Sequence, residues 1–261
     1  MRKLSFLLIL VVLVFGCKST PKETEKDAAY YYNQGDEYYN MYLFDQAISE
    51  YTEALNKDPE MADAHLARGN AYSGKLEQGN ALDDYKAAAR LHGDYDFYAR
   101  GYSMLLYQDY KAAIDEFSLA IEHETNLAAA YNDRGLAYAN MGNQDKAIED
   151  YEKALSINSK SAFAYNNRGN AYLSKRDYNR AIDDYTKAAE LYPQLGFAYS
   201  GRGFANFQLK EYDNAISDYT QAIAIAPDDS SLYTLRRNAY LAKGEKELAE
   251  ADRAMAERLR K

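Results

Sequence analysis

The side chains in this 261-residue chain that could perform chemistry are few. There is one cysteine, Cys17, and there are three histidines, His65, His92 and His123. A protein metal site needs ligands at short, regular spacing, and these histidines are scattered, so no metal site follows. No phosphate-binding glycine loop, dinucleotide fingerprint or nucleophile elbow occurs. A single thiol excludes an intramolecular disulfide. Two sets of charged residues do recur. Arginine stands at 68, 100, 134, 168, 202 and 236, and acidic residues that include Glu149, Asp150, Asp183, Asp184 and Asp218 recur between them. This row reads either as an interhelical salt-bridge ladder or as a polyanion site, and the acidic neighbours favour the ladder. The Asp183-Asp184 type of pair is periodic, so it reads as helix surface and not as a general acid and base. No enzyme, cofactor or metal is expected.

The elements that position these groups are set by a period. All but one of those arginines directly precede a glycine, in the series Gly35, Gly69, Gly101, Gly135, Gly169 and Gly203, spaced by 34, 32, 34, 34 and 34 residues, with Arg237 in the seventh place. Twelve residues after each marker comes alanine: Ala47, Ala81, Ala113, Ala147, Ala181, Ala215 and Ala249. Four further on is an aromatic in six copies, namely Tyr51, Tyr85, Phe117, Tyr151, Tyr185 and Tyr219, with Arg253 in the last. A second alanine follows three residues later, from Ala54 to Ala256. A fixed period of this size is the mark of a solenoid. Tyr165, Gly169 and Tyr172 fall on one face of a helix, and Ala181, Tyr185 and Ala188 on one face of the next. Glycine inside a helix costs about 1 kcal/mol against alanine. Its recurrence implies close backbone approach, with rings filling the surrounding holes. Asp177 reads as the N-cap of the second helix, and Pro193 ends it.

Through Tyr165, Gly169, Tyr172, Ala181, Tyr185, Ala188 and Pro193 the pattern resembles the tetratricopeptide repeat family. Units one, four, five and six match well, and units two and three match with losses. The resemblance implies an all-α fold, a right-handed α-solenoid of about seven helix-turn-helix repeats at 28–61, 62–93, 94–127, 128–161, 162–195, 196–229 and 230–261. Units two and three meet at a junction two residues short, and Asn206 stands where an aromatic is usual. The last unit, with Arg237, Arg253 and a Glu/Lys/Arg-rich second helix, reads as a polar cap.

The formal net charge is -9, and no basic excess points to nucleic acid. Arg2 and Lys3 precede an apolar run from Leu4 to Phe15, too short for a comfortable membrane span and arranged like a secretory signal. Val14-Phe15-Gly16-Cys17 resembles the lipobox of bacterial lipoproteins. That implies a signal peptide over 1–16, lipid on Cys17, and a flexible tether over 17–27. Lys18 and Ser19, with no aspartate, resemble the sorting pattern for the outer membrane, facing the periplasm.

In the family the first helix of each unit lines the concave groove where partners dock. Carried over, the inward positions include Tyr32 and Tyr39, Asn70, Tyr95, Tyr98 and Tyr102, Asn132, Asn166 and Asn170, Phe204, and Asn238. Asparagine both donates to and accepts from a peptide backbone, and rings bury area at low entropic cost. This face suits a peptide or protein segment of an envelope partner. No lysine or arginine stands at the positions of the family's carboxylate clamp. Phe163 and Phe197 read either as groove or as core. Tyr95, Tyr98 and Tyr102 form a stripe of three rings and are the foremost binding candidates. A membrane-anchored interaction scaffold is expected; the alternative is an accessory holding an apolar small molecule for a transporter.

Overall fold

The computed structural model describes residues 26–124 and 126–260. The signal segment, Cys17 and nearly all of the tether lie outside them.

The described residues form fourteen helices in seven hairpins: α1 (Ala28–Asn40) with α2 (Phe44–Lys57), α3 (Ala62–Gly74) with α4 (Gln78–Leu91), α5 (Tyr95–Leu106) with α6 (Tyr110–Glu122), α7 (Leu127–Asn140) with α8 (Gln144–Ile157), α9 (Ala162–Ser174) with α10 (Tyr178–Leu191), α11 (Gly196–Gln208) with α12 (Tyr212–Ile225), and α13 (Ser230–Lys243) with α14 (Lys246–Leu259). The architecture is the all-α solenoid that the period predicts. Each helix packs on its hairpin partner and on the next hairpin, so burial runs as a continuous spine.

The repeated residues explain the hairpin. A Cβ added at Gly69, Gly101, Gly135, Gly169 or Gly203 would stand 2.6–2.9 Å from the ring sixteen residues later. The ring lies flat against bare backbone, and Tyr51, Tyr85, Phe117, Tyr151, Tyr185 and Tyr219 are each at most 1% exposed. The expected cap forms, with the Asp177 side chain accepting from the Arg180 backbone N–H, and the structure adds Asn143 and Ser161 as caps of α8 and α9. One residue in each hairpin turn has positive φ, and the first unit places Tyr42 there.

The recurring arginines form a ladder. Arg68, Arg134, Arg168, Arg202 and Arg236 each fork onto an aspartate of their own hairpin: Asp84, Asp150, Asp184, Asp218 and Asp252. Arg100 uses Glu116. In four units the third nitrogen also reaches back one hairpin, to Thr52, Ser118, Thr186 or Thr220. Glu149 and Asp183, one residue before their paired neighbours, are exposed. Asn206, out of pattern in the sequence, is buried and donates to Asp218, so it joins the same network.

The junction between α4 and α5 is residues 92–94, against 58–61 between α2 and α3, and α5 has 12 residues where α3 has 13. The missing pair is shared between turn and helix. His92 and His123, far apart in sequence, both come within 3.7 Å of Asp94 at this junction.

Candidate functional site

The inner face of the first five units lines a half-open cavity of about 600 Å³. Its floor is buried, with Tyr85, Tyr98 and Ala154 at the bottom, and its rim carries exposed Leu76, Gln78, Gln108 and Asn140. First helices α1, α3, α5, α7 and α9 supply most of the wall because each turns its inward stripe to the same side.

One side of the cavity is closed by a contact between units four apart. The Tyr42 ring stacks on Tyr192 at 4.9 Å and meets Phe163 at 6.2 Å. Phe44 stacks on Phe163 at 6.1 Å and lies edge-on to Tyr192. The Tyr42 hydroxyl donates to the Lys160 carbonyl and accepts from the Ala162 backbone N–H. Phe163 therefore packs between units and also lines the cavity, whereas Phe197 is 63% exposed.

The inward residues divide sharply. Tyr98 and Tyr102, foremost in the sequence reading, are 1% and 5% exposed. They pack edge-on to Tyr85, each at 4.9 Å, so they are core rings that show the cavity only an edge. The expected three-ring stripe does not form: Tyr95 stands apart and donates to Asp63. The physical reason is the short junction, where Tyr85, Tyr98, Tyr102 and Phe117 share one cluster. Asn166 is also buried, with its side-chain oxygen unpaired, and is not a groove contact. Tyr32 and Tyr39 are half-buried against Tyr51 and Phe44. Asn70 and Asn132 do line the cavity. Asn170 is exposed but accepts from Tyr185, and Phe204 and Asn238 are exposed beyond the cavity.

The asparagines form networks. Asn70 accepts from Tyr85 at 3.0 Å and from Asn126 at 3.2 Å. Asn167 donates to Asn132, which in turn donates to Asp133, at 3.1 and 3.0 Å. Tyr98 donates to the other Asp133 oxygen at 2.8 Å. Burial pushes the Asp133 carboxyl up to about 6, against the opposing pull of these two donors. Burial likewise drives the Tyr98 and Tyr85 hydroxyls well above the usual phenol range.

Asp133, Asn126 and Asn167 were missed in the sequence. A signal was there: two residues before the marker glycine, other units carry Ala67, Ala99 and Gly201, while units four and five carry Asp133 and Asn167. Unit one carries Asn33 and unit seven Leu235 in the same row, and Asp133 is its one acid.

Tetratricopeptide models match residues 32–96, 128–161, 162–195 and 197–229, well over half of the chain. The chain belongs to the tetratricopeptide repeat family. Among solved structures it is similar to a MamA protein at 25% identity, over 64% of this chain and 91% of that one, with a TM-score of 0.58. MamA from Desulfovibrio magneticus RS-1 aligns at 17% identity, over 65% of this chain and 96% of that one, with a TM-score of 0.60. A chain of the APC/C hetero-tetramer Cut9-Hcn1 aligns over 89% of this chain and 45% of its own, at 20% identity and a TM-score of 0.65. At the lower identities the likeness is one of fold. Comparison with curated proteins gives no significant match. Tetratricopeptide arrays are interaction scaffolds whose curvature builds a concave binding surface. In this array the cavity lies on units one to five, and its lining holds amides, rings, aliphatic side chains and Asp133 but no cation.

Proposed function

We propose that the protein is a membrane-anchored scaffold of the bacterial envelope that holds a peptide segment of a partner protein on its inner face. The observation that carries the reading is the cavity itself. It has a volume typical of ligand pockets, with convergent side-chain amides set between aromatic walls. Such a lining matches an extended backbone, whose N–H and C=O groups need both donors and acceptors. On this reading it binds and does not catalyse: the polar groups that converge there are amides, phenols, the hydroxyls of Ser73 and Ser161 and a single carboxylate. The lining carries leucines and alanines beside the amides, but the cavity stands half open, which favours a peptide segment over an enclosed apolar small molecule.

The anchor reading rests on the sequence of residues 1–19 alone, with Cys17 acylated and the array held in the periplasm at the outer membrane. Among the described residues no helix is long and apolar enough to cross a membrane, so attachment would fall to the N-terminal lipid.

The test is site-specific photocrosslinking from Asn132 in the cavity and from exposed Asp183 as control. A partner segment captured from position 132 and absent from 183 supports the reading; equal capture from both positions, or none from 132, removes it. For the anchor, Cys17→Ala should move the protein out of the detergent phase, and unchanged partitioning with normal cleavage would refute lipidation.

A further inference from the structure

Each strongly buried carboxylate among the described residues has a guanidinium, whereas the half-buried Asp133 has none. Asp84, Asp150, Asp184, Asp218 and Asp252, all 5% exposed, are each forked by the arginine of their own unit. Asp133 is different. It lies one position before the ladder arginine, on the cavity side of α7, and Arg134 beside it is committed to Asp150. The ionisable groups that face Asp133 from the packed elements are Tyr39 on α1, Tyr85 on α4, Tyr98 and Tyr102 on α5, and Tyr151 on α8. Asn132 on its own helix completes the shell, joined to Asn167 on α9. Among the described residues no lysine, arginine or histidine lines the cavity, and Asp133 is its only charged side chain.

A carboxylate offers about four lone-pair positions, and two are filled here, by Tyr98 and Asn132. A charge taken from water is normally paired, because its desolvation is otherwise uncompensated. An anion would be repelled, and a neutral segment would leave the charge unpaired. The -9 charge of the chain also attracts basic partners.

From this arrangement we infer that Asp133 is the receptor for a lysine or arginine side chain of the bound segment, the asparagines holding that segment's backbone on either side. This deepens, and rests on, the reading of the cavity as a peptide site. The inner face would then select for a basic residue, the reverse of a clamp that reads carboxylates.

The experiment is selection from a library of random twelve-residue peptides with the whole protein and with Asp133→Asn. The expected result is enrichment of one lysine or arginine position by the wild type and its loss with Asp133→Asn. Selected basic peptides should bind the variant about tenfold more weakly, the size expected for one charge-assisted hydrogen bond. Wild type offers a second route that needs no substitution: protonating Asp133 by moving from pH 8 to pH 5 should weaken the same peptides by a similar factor. Peptides recovered without basic enrichment, or with equal enrichment by both proteins, would overturn the role of Asp133 and leave the peptide groove standing. Recovery of no peptide at all would overturn both. Binding of free putrescine that depends on Asp133, with no peptide recovered, would make this a small-amine site and also overturn the inference.

Discussion

The Tyr42 hydroxyl oxygen lies 2.6 Å from the backbone nitrogen of Ala162, joining residues 120 positions apart in a fold whose other contacts are mostly between neighbouring hairpins. With the Phe44, Phe163 and Tyr192 rings around it, this contact ties the first unit to the fifth beside the half-open cavity that Phe163 lines. Nearest-neighbour stacking alone would not require it.

Tyr42→Ala should therefore open the first unit away from the fifth. Two hydrogen bonds and a stacked ring are lost, about 2 kcal/mol in total. Small-angle scattering should show a larger radius of gyration, with helical content unchanged. An unaltered radius together with an unaltered melting midpoint would mean that the closure does not persist in solution.

Gly69→Ala tests the glycine and ring packing. The new methyl would stand 2.6 Å from Tyr85 Cε1 and 3.2 Å from the Ala81 carbonyl oxygen, and Tyr85 is fully buried. Overpacking costs roughly 1–3 kcal/mol, offset by about 1 kcal/mol of helix propensity. A net loss of about 1–2 kcal/mol is expected in urea unfolding, and any gain in stability would contradict the close approach.

Arg168→Leu removes the fork on Asp184 and leaves a buried carboxylate unpaired. Loss of one partner from such a pair costs several kcal/mol when both are fully buried; Arg168 is partly exposed, so about 2 kcal/mol is expected. Arg168→Leu combined with Asp184→Leu should recover most of that loss. Chemical denaturation of the three proteins provides the comparison, and a double variant worse than the single one would refute the argument.

Asp133→Asn should stabilise the free protein at neutral pH. Burial raises the carboxyl to about 6, above its value in the unfolded chain, so the folded state binds the proton more tightly. The contribution of this group is full below pH 4 and is lost as pH rises through 6. The variant, which keeps the shape without the charge, should gain on the order of 2 kcal/mol over wild type at pH 8 and nothing at pH 4. Urea midpoints measured across that range decide it; a gain of equal size at both ends would point to packing instead.

Much of this protein was determined by the sequence alone, because in a solenoid each unit meets only its neighbours and the same residues solve the same problem in every copy. Gly69 and Tyr85, or Arg168 and Asp184, lie sixteen residues apart in one hairpin, so a period of 34 was enough to pair them. The register of each first helix was legible for the same reason. What those positions face was not. Whether Tyr98 is core or surface depends on the shortened α4–α5 junction, which seats it against Tyr85. Tyr42 reaches Ala162 only through twist accumulated over four units, and small rotations add with no mark in any one repeat. Asp133 drew no reading from the sequence, because only the fold sets it among tyrosines and turns the nearest arginine to another partner.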